Sequence, residues 1–312
     1  MPTQETTSAI PTARVFVTGA TGFIGSAITR RLLDDGYEVT GLARSDAAAE
    51  TLRQRGIGVH RGDLTDPASL AAGARAADGV IHTAFIHDFS RYEENNRIDR
   101  RAVEAIADAL EGSGKPFVAT SATTVLAPGR LGTEEDAPDP NNPGSVRAAS
   151  EAALPAARRG VRASVVRLPP SVHGPGDTAF VPALIEAARQ TGVSAFVGEG
   201  ENRWPAVHRL DAARLFRLAF EKAEPGTVLH GVAEEGIPMR RIAEVIGEGL
   251  GVPVRAIPAS EAPSHFGWLA GFVQIDNPIS SALTREWAGW QPQEADLLTD
   301  VRENGYFSQE TE

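Results

Sequence analysis

The stretch that decides the fold is Val15-Phe16-Val17-Thr18-Gly19-Ala20-Thr21-Gly22-Phe23-Ile24-Gly25. It opens with β-branched and aromatic residues typical of a buried strand, and its glycines then follow the spacing G-x-x-G-x-x-G into a helix. We expect Gly19 to permit a tight turn, Gly22 to let the backbone approach a diphosphate, and Gly25 to let the helix pack on the strand. The free N–H groups of a helix N-terminus favour phosphate. Residues 18–25, here called the glycine cradle, therefore predict a dinucleotide site.

The same alternation of strand and helix continues through the first half of the chain. Strands are predicted at Arg14–Thr18, Glu38–Ala43, Ile57–His60, Gly79–His82, Phe117–Ser121 and Arg162–Leu168. Helices are predicted at Phe23–Asp35, Asp46–Arg55, Glu93–Glu111 and Ser145–Arg159, and another begins near Pro67. This order predicts an α/β protein with a doubly wound parallel sheet of the Rossmann type. We expect its strands to lie in chain order, with right-handed crossovers.

The chain changes character after Leu168, where prolines become frequent and helices alternate with irregular loops. We predict a disordered tail at 1–13 and a dinucleotide-binding Rossmann domain formed by 14–168 plus 206–231. The remaining residues, 169–205 plus 232–312, are predicted to form a smaller C-terminal substrate lobe. In this division the helix Asp211–Lys222, capped by Asp211, and the strand Thr227–Gly231 return to the main sheet.

Composition excludes several classes of function. The net charge of the 312-residue chain is −11, which disfavours nucleic acid as a partner. The chain has no cysteine, so disulfides, thiol catalysis and cysteine–metal sites are excluded. The N-terminal tail lacks the apolar core of a signal peptide, and the apolar run Phe266–Ile275 is too short to span a membrane. We therefore expect a soluble, cytoplasmic protein that acts on a small molecule.

The end of the second predicted strand bears on the choice between NAD and NADP. Its sequence, Gly41-Leu42-Ala43-Arg44-Ser45, has no carboxylate to hold a ribose 2′-hydroxyl. Arg44 offers a planar guanidinium and Ser45 a hydroxyl for a 2′-phosphate, although a solvated arginine is also common at a strand end. The sequence favours NADP(H) over NAD(H).

These segments resemble the short-chain dehydrogenase/reductase superfamily, in its extended or atypical branch. The glycine cradle is similar to the motif of that branch, residues 62–66 (GDLTD) to its adenine-contacting turn, and residues 81–84 (IHTA) to the segment along the cofactor. Later landmarks are similar at 167–176 and 206–212. The resemblance covers nearly the whole chain and implies a Rossmann fold with a C-terminal substrate lobe.

The sequence departs from that superfamily where its chemistry is expected. Members typically carry a Tyr-x-x-x-Lys pair on the helix after the fifth strand, but here Arg147 stands at the lysine position and Pro143 at the tyrosine position. The resemblance implies that Arg147 holds the nicotinamide ribose, while a guanidinium, which keeps its proton in proteins, cannot act as a general acid. Together the motif, the second strand and the resemblance assign cofactor binding to Gly19, Thr21, Gly22, Phe23, Ile24, Gly25, Arg44, Ser45, Asp63, Leu64, Thr83, Ala84 and Arg147.

Three side chains are candidates for the catalytic role. Ser121 resembles the catalytic serine or threonine of the superfamily, with Thr123 as the second choice, but both hydroxyls also suit the end of a strand. Tyr92, expected in the loop after the fourth strand, either donates a proton or anchors that loop. Further candidates, each of which also suits a structural role, are His87, Asp88 and His173. No metal site is expected, because the spacing of His82, His87 and Asp88 suits neither a helix face nor a strand.

The first hypothesis is an NADPH-dependent oxidoreductase, an atypical short-chain reductase of a small carbonyl or enone. Tryptophans at 204, 268, 287 and 290 suit an aromatic or polyketide-like substrate, although such residues also form cores. The alternatives are a non-catalytic NADP(H)-binding sensor or partner module, and an epimerase or dehydratase. By resemblance alone, a homodimer through the helices Glu93–Glu111 and Ser145–Arg159 is expected.

Overall fold

Strands and helices alternate through the part of the chain described by the computed structural model, residues 13–88 and 91–308. The strands are β1 (Arg14–Thr18), β2 (Glu38–Ala43), β3 (Gly58–Arg61), β4 (Gly79–His82), β5 (Pro116–Ala122), β6 (Arg162–Leu168), β7 (Ser171–His173), β8 (Ser194–Val197), β9 (Arg203–His208), β10 (Val228–His230), β11 (Glu234–Pro238) and β12 (Val254–Ile257). The α-helices are α1 (Phe23–Asp34), α2 (Asp46–Gln54), α3 (Pro67–Ala76), α4 (Tyr92–Ala109), α5 (Phe180–Thr191), α6 (Arg209–Lys222), α7 (Met239–Leu250), α8 (Ala262–Phe266), α9 (Ala282–Ala288) and α10 (Leu297–Glu303). Segments of 3₁₀-helix lie at Thr123–Val125, Pro143–Arg159, Ala259–Glu261 and Gly267–Gln274.

The main sheet has seven strands in the order β10-β6-β5-β4-β1-β2-β3, and all neighbours pair in parallel. The predicted α/β class and doubly wound Rossmann sheet are confirmed. The prediction that the strands lie in chain order is wrong, because the chain starts in the middle of the sheet, runs outward to β3 and returns past β1 to β4. Connections therefore leave β1 and β4 in opposite directions, which opens a crevice at the carboxyl ends of these two strands.

Apolar residues cover both faces of the main sheet. On one face α1 and α6 bury Ile28, Leu32 and Phe216. On the other face Phe16 and Phe117 pack with the helices α3 and α4. Burial on both faces explains why β1 and β4 are nearly continuous buried runs, whereas β2, nearer the edge of the sheet, alternates.

The segment after β5 differs from its prediction. An α-helix was expected at Ser145–Arg159, but Pro143–Arg159 is a 3₁₀-helix that ends at Gly160 in the left-handed conformation. Pro155 lies inside this segment and has no N–H to donate, so an α-helical hydrogen bond is lost at this point. Tyr92 also differs from its prediction, because it is the first residue of α4 and not part of a loop.

Two small sheets form after β6. One has the order β11-β9-β7, and the other pairs β12 with β8. The predicted return of the strand near Thr227–Gly231 is confirmed, since β10 pairs in parallel with β6 at the edge of the main sheet. The division of the chain into a Rossmann domain and a substrate lobe stays a prediction. None of the described helices combines the length and the apolar character needed to cross a membrane.

Candidate functional site

The glycine cradle lies between β1 and α1, at the carboxyl edge of the main sheet. Gly19 has a φ of 71°, in the left-handed region that favours glycine, and its carbonyl accepts a hydrogen bond of 2.9 Å from the N–H of Gly22. A Cβ on Gly25 would lie 2.0 Å from the carbonyl oxygen of Gly19, so only glycine lets α1 begin this close to the turn. No side chain caps α1. Within the described residues, the first N–H groups of α1 therefore remain available to an anion.

The segment after β4, Thr83 and Ala84, forms hydrogen bonds with the glycine cradle. The Thr83 hydroxyl donates to the carbonyl of Thr18 at 2.8 Å, and the N–H of Ala84 donates to the Thr18 hydroxyl at 3.3 Å. A Cβ on Gly19 would lie 2.8 Å from the backbone nitrogen of Ala84. The turn and this segment are therefore in direct contact.

Three of the predicted cofactor residues gather at the carboxyl ends of β2 and β3. Arg44 is exposed, and Ser45 caps α2 by accepting a hydrogen bond of 3.2 Å from the N–H of Ala48. Hydrogen bonds from the N–H and hydroxyl of Thr65 hold the pKa of Asp63 below its usual range, and the charge of Arg44 acts in the same direction. Arg44 and Asp63 thus lie within electrostatic range of each other. The next predicted cofactor residue, Leu64, is half-buried against the apolar cluster of Phe16.

A chain of buried hydrogen bonds starts at the cradle and runs to Arg147. Thr18 Oγ1 lies 2.8 Å from His82 Nδ1, His82 Nε2 lies 3.0 Å from Asp99 Oδ1, and Arg147 donates to Asp99 Oδ2 at 2.8 Å. The Ser150 hydroxyl donates to the same Asp99 oxygen at 2.5 Å. The side chains of His82 and Asp99 are each 1% exposed, and that of Arg147 is 11% exposed. These hydrogen bonds are therefore largely buried, and they connect the glycine cradle to Arg147.

Asp99 carries the negative charge of this chain. Burial alone raises the pKa of Asp99, but the Arg147 charge and the hydrogen bond from His82 outweigh burial and lower the pKa to about 2. The sequence reasoning missed this residue. Its signal was a carboxylate on the apolar stripe of α4, because Asp99, Ala102, Val103 and Ile106 follow the i, i+3, i+4, i+7 spacing of a buried face.

Arg147 is fixed at the carboxyl edge of the sheet, beside the segment after β4. Its guanidinium carbon lies 4.1 Å from the centroid of the Phe85 ring, and it also donates to the carbonyl of Thr120 at 3.3 Å. The Phe85 ring in turn contacts His87 and Tyr92 edge to face, with centroid distances of 5.3 and 6.3 Å. The structure therefore brings together an arginine, a phenol and an imidazole around one phenylalanine.

The charge of Arg147 acts on both titratable neighbours. Burial raises the pKa of Tyr92, and Arg147 partly offsets this rise. Desolvation lowers the pKa of His87, and Arg147 lowers it further. At neutral pH the phenol is therefore protonated, whereas the imidazole is neutral and a poor general acid.

Ser121 and Thr123 have different environments. The Ser121 hydroxyl donates to the backbone carbonyl of Arg147 at 3.4 Å, so it lies next to the arginine. The Thr123 hydroxyl is buried and donates to Asn277 Oδ1 at 2.8 Å, which joins β5 to the C-terminal part of the chain. Of the two hydroxyls, Ser121 lies with Arg147, and Thr123 has a structural partner.

His173 and His208 have partners within the fold. His173 Nδ1 lies 2.8 Å from Asp300 Oδ2, and both side chains are buried. Asp211 was expected to cap a helix at 212–222, but this is wrong, because α6 begins earlier and its cap is His208, which accepts from the N–H of Leu210 at 3.2 Å. Asp211 is buried inside the helix and accepts from the N–H groups of 293 and 294. In the described part of the chain, no group of three or more His, Asp or Glu side chains could hold a metal ion.

Aromatic rings gather around the first residue of α5. Phe180 packs edge to face on Trp204, Trp268 and Phe272, with centroid distances of 5.6, 5.5 and 5.1 Å. Trp204 is buried, whereas Trp268 is 48% exposed. The other two tryptophans lie outside this cluster, with Trp290 buried in the apolar cluster of α1 and α6. Within this cluster, Trp268 therefore presents an accessible aromatic ring.

Comparison with known proteins identifies the family that this chain resembles. Residues 15–230 match the family described as the NAD dependent epimerase/dehydratase family. An uncharacterized protein of Schizosaccharomyces pombe is 50% identical over 296 residues, which cover 94% of this chain and 100% of the relative. A 2-alkyl-3-oxoalkanoate reductase of Stenotrophomonas maltophilia is 31% identical over 259 residues, which cover 77% of this chain and 76% of the relative.

Solved structures share the fold. The UDP-glucose 4-epimerase of Thermus thermophilus, in complex with NAD, has a TM-score of 0.74 and 21% sequence identity. The match covers 94% of this chain and 98% of that chain. The similarity thus includes the segments after β6 as well as the main sheet.

Proposed function

This chain belongs to the NAD dependent epimerase/dehydratase family, and from this premise we propose that it is an NADPH-dependent reductase of apolar carbonyl compounds or enones. One observation carries the proposal. Asp99 and Phe85 hold Arg147 at the carboxyl edge of the sheet, where the same hydrogen-bond chain reaches the glycine cradle. A fixed cation beside a dinucleotide site suits a reaction in which negative charge develops on a carbonyl oxygen.

The residues present fit a dinucleotide along the crevice. The first turn of α1 offers N–H groups to the diphosphate, and Arg147 offers guanidinium donors to the nicotinamide ribose. Bound NADPH would supply a hydride. The residues proposed to hold it are those of the glycine cradle, Gly19, Thr21, Gly22, Phe23, Ile24 and Gly25, together with Arg44, Ser45, Asp63, Leu64, Thr83, Ala84 and Arg147.

The preference for NADP(H) rests on Arg44. Its guanidinium is exposed at the end of β2, where a 2′-phosphate of the adenosine ribose would lie, and Ser45 follows it. The end of β2 carries no carboxylate that would repel a phosphate. A bidentate contact from Arg44 to the 2′-phosphate would therefore select NADP(H) over NAD(H).

Tyr92 is the proposed proton donor. Hydride addition to a carbonyl carbon leaves an alkoxide, which needs a proton. The phenol of Tyr92 is protonated at neutral pH and lies within the field of Arg147, which would stabilise the phenolate left after the transfer. Ser121, beside Arg147, would donate a hydrogen bond to the substrate oxygen. Reduction of an enone would depend less on Tyr92, because the carbon beside the carbonyl can take its proton from solvent after hydride addition.

The aromatic cluster supports the proposed substrate class. Trp268 presents an accessible ring that packs on Phe180, which suits an apolar or planar substrate. The reductase of Stenotrophomonas maltophilia, whose name specifies an alkyl-substituted oxoalkanoate, supports the same class.

The first experiment measures the binding of NADPH and NADH by nucleotide fluorescence. Wild type should bind NADPH more tightly, and Arg44→Asp should lose about 10- to 100-fold of its affinity for NADPH but little of its affinity for NADH. Exposed Arg255, on β12, provides the control Arg255→Asp, which should bind both as wild type does. If wild type binds neither nucleotide, the reductase proposal is wrong.

The second experiment follows NADPH oxidation with a panel of ketones and enones. Tyr92→Phe should lower kcat for ketones by about 100-fold or more and affect enones less. The control Tyr37→Phe removes a hydroxyl that donates to Glu221 at 2.7 Å, outside the crevice, and should leave kcat unchanged. Equal rates for wild type and Tyr92→Phe on every ketone would eliminate Tyr92 as the donor.

A non-catalytic NADP(H)-binding sensor is the second candidate. The observation that favours it is Pro143, which stands where the superfamily carries its tyrosine, because proline has no proton to give. This candidate predicts tight NADPH binding without oxidation on any member of the panel. An epimerase or dehydratase, the third candidate, would convert its substrate without net consumption of NADPH.

A further inference from the structure

Arg209, the first residue of α6, has no polar partner in the described structure. It is half-buried, its Nε is enclosed by protein, and no described atom accepts a hydrogen bond from its guanidinium. Every other half-buried or buried arginine in the described residues forms an ion pair or a hydrogen bond, as Arg214 and Arg217 do further along the same helix. A cation that is partly removed from water without a partner is costly, so its presence at this position needs an explanation.

The position of Arg209 supplies one. Its guanidinium carbon lies 5.0 Å from the centroid of the Phe23 ring, and Phe23 is the first residue of α1 in the glycine cradle. On the other side, Arg209 passes Gly174, where an added Cβ would lie 3.2 Å from Arg209 Cγ. The cation is therefore held between the cradle and the loop that follows β7.

The packing fixes the side chain and leaves its donors unused. Stacking on Phe23 stabilises a guanidinium over a ring and restricts its rotation, but it satisfies no N–H group. A planar guanidinium with free donors is the group that binds phosphate oxygens in two parallel hydrogen bonds. Because Arg209 lies beside the N-terminus of α1, its guanidinium and the positive end of that helix would both attract the same anion.

We propose that Arg209 is a binding residue for the diphosphate of the dinucleotide, which it would hold together with the first turn of α1. The inference rests on the proposed binding of NADP(H) and adds to it a contact from outside the glycine cradle. Arg209 directly follows β9 and lies in the C-terminal half of the chain. Its contact with the diphosphate would therefore connect this half to the cofactor that the N-terminal glycine cradle binds.

The test is a binding titration of Arg209→Met and Arg209→Lys with NADPH and with adenosine 2′-monophosphate, which lacks the diphosphate. Methionine keeps an unbranched apolar stem against Phe23 but removes the charge. We expect Arg209→Met to bind NADPH about 10- to 100-fold more weakly and adenosine 2′-monophosphate as tightly as wild type. Arg209→Lys should retain part of the affinity, and the affinity of Arg209→Met for NADPH should fall less steeply with added salt.

Arg240→Met is the matched control. The Arg240 guanidinium also stacks on a phenylalanine, 5.3 Å from the Phe196 centroid, but it donates to the carbonyl of Glu199 and lies on α7. This variant should bind NADPH as wild type does, and thermal unfolding checks that all variants fold.

Equal affinity of Arg209→Met and wild type for NADPH would overturn the proposal. An equal loss of affinity for NADPH and adenosine 2′-monophosphate would also overturn it, because it would indicate a structural role. No NADPH binding by wild type would instead reject the proposed function.

Discussion

The glycine cradle and the Arg147 site lie at the same edge of the sheet, but the first is formed by backbone and the second by side chains. The cradle consists of backbone, and it works because Gly19, Gly22 and Gly25 leave space. The Arg147 site consists of side chains, and it works because Asp99 supplies a buried charge that holds the guanidinium in place. We therefore expect the glycine cradle to lose NADPH binding when a Cβ is added to it. We expect the Arg147 site to lose its geometry when the charge of Asp99 is removed.

The largest expected effect comes from adding one carbon to the cradle. In Gly25→Ala the new Cβ would lie 2.0 Å from the carbonyl oxygen and 2.7 Å from the carbonyl carbon of Gly19, and a backbone group cannot move aside as a flexible side chain can. We expect α1 to shift away from the turn and NADPH binding to fall below detection. Gly271→Ala places its Cβ in open space and should change the free energy of unfolding by less than about 0.5 kcal/mol. Wild-type affinity in Gly25→Ala would show that the cradle is not tightly packed.

The next effect comes from removing a charge without changing shape. Asp99→Asn leaves Arg147 largely buried without its counter-ion, which should lower the free energy of unfolding by about 3 kcal/mol. A displaced Arg147 should lower kcat by about 100-fold, with a smaller change in NADPH affinity. Asp108→Asn is the control on the same helix, because its pair with Arg159 is exposed and is worth at most about 1 kcal/mol. If both variants behave alike in kcat and stability, Asp99 does not position Arg147.

The smallest effect is a dependence of stability on acid pH. The pKa of Asp99 is about 2 in the folded chain and lies below its ordinary value, so its contribution is complete above the unfolded pKa and is lost as pH falls through the folded pKa. Wild type should lose about 2 kcal/mol of unfolding free energy from this residue between about pH 4 and pH 2. Urea unfolding across this range should give a smaller loss for Asp99→Asn. Identical pH profiles would contradict the assigned charge of Asp99.

The cradle could be predicted from sequence because its requirements are local. Three glycines, a strand before them and a helix after them lie within eleven consecutive residues, 15–25, and no distant contact is needed to identify them. The strand order could not be obtained from chain order, since it depends on which edge of β1 the returning strand β4 occupies.

The Arg147 site could be predicted only in part. Arg147 itself was found by its position after β5, but its partner Asp99 lies 48 residues away and is brought to it by the packing of α4 on the 3₁₀ segment. Tyr92 was placed in a loop because its helix starts without a side-chain cap. His208 was overlooked as a helix cap because Asp211, a commoner capping residue, follows it closely.

The central position of β1 has a consequence for synthesis of the chain. Its partner on one side, β2, follows within 24 residues, but its partner on the other side, β4, pairs Gly79 with Val15, 64 residues later. A nascent chain that ends after β3 therefore holds every glycine of the cradle but leaves one edge of an apolar strand unpaired. Unpaired edges of this kind promote association with other chains. The edge of β1 that β4 covers therefore stays open until β4 has been synthesised.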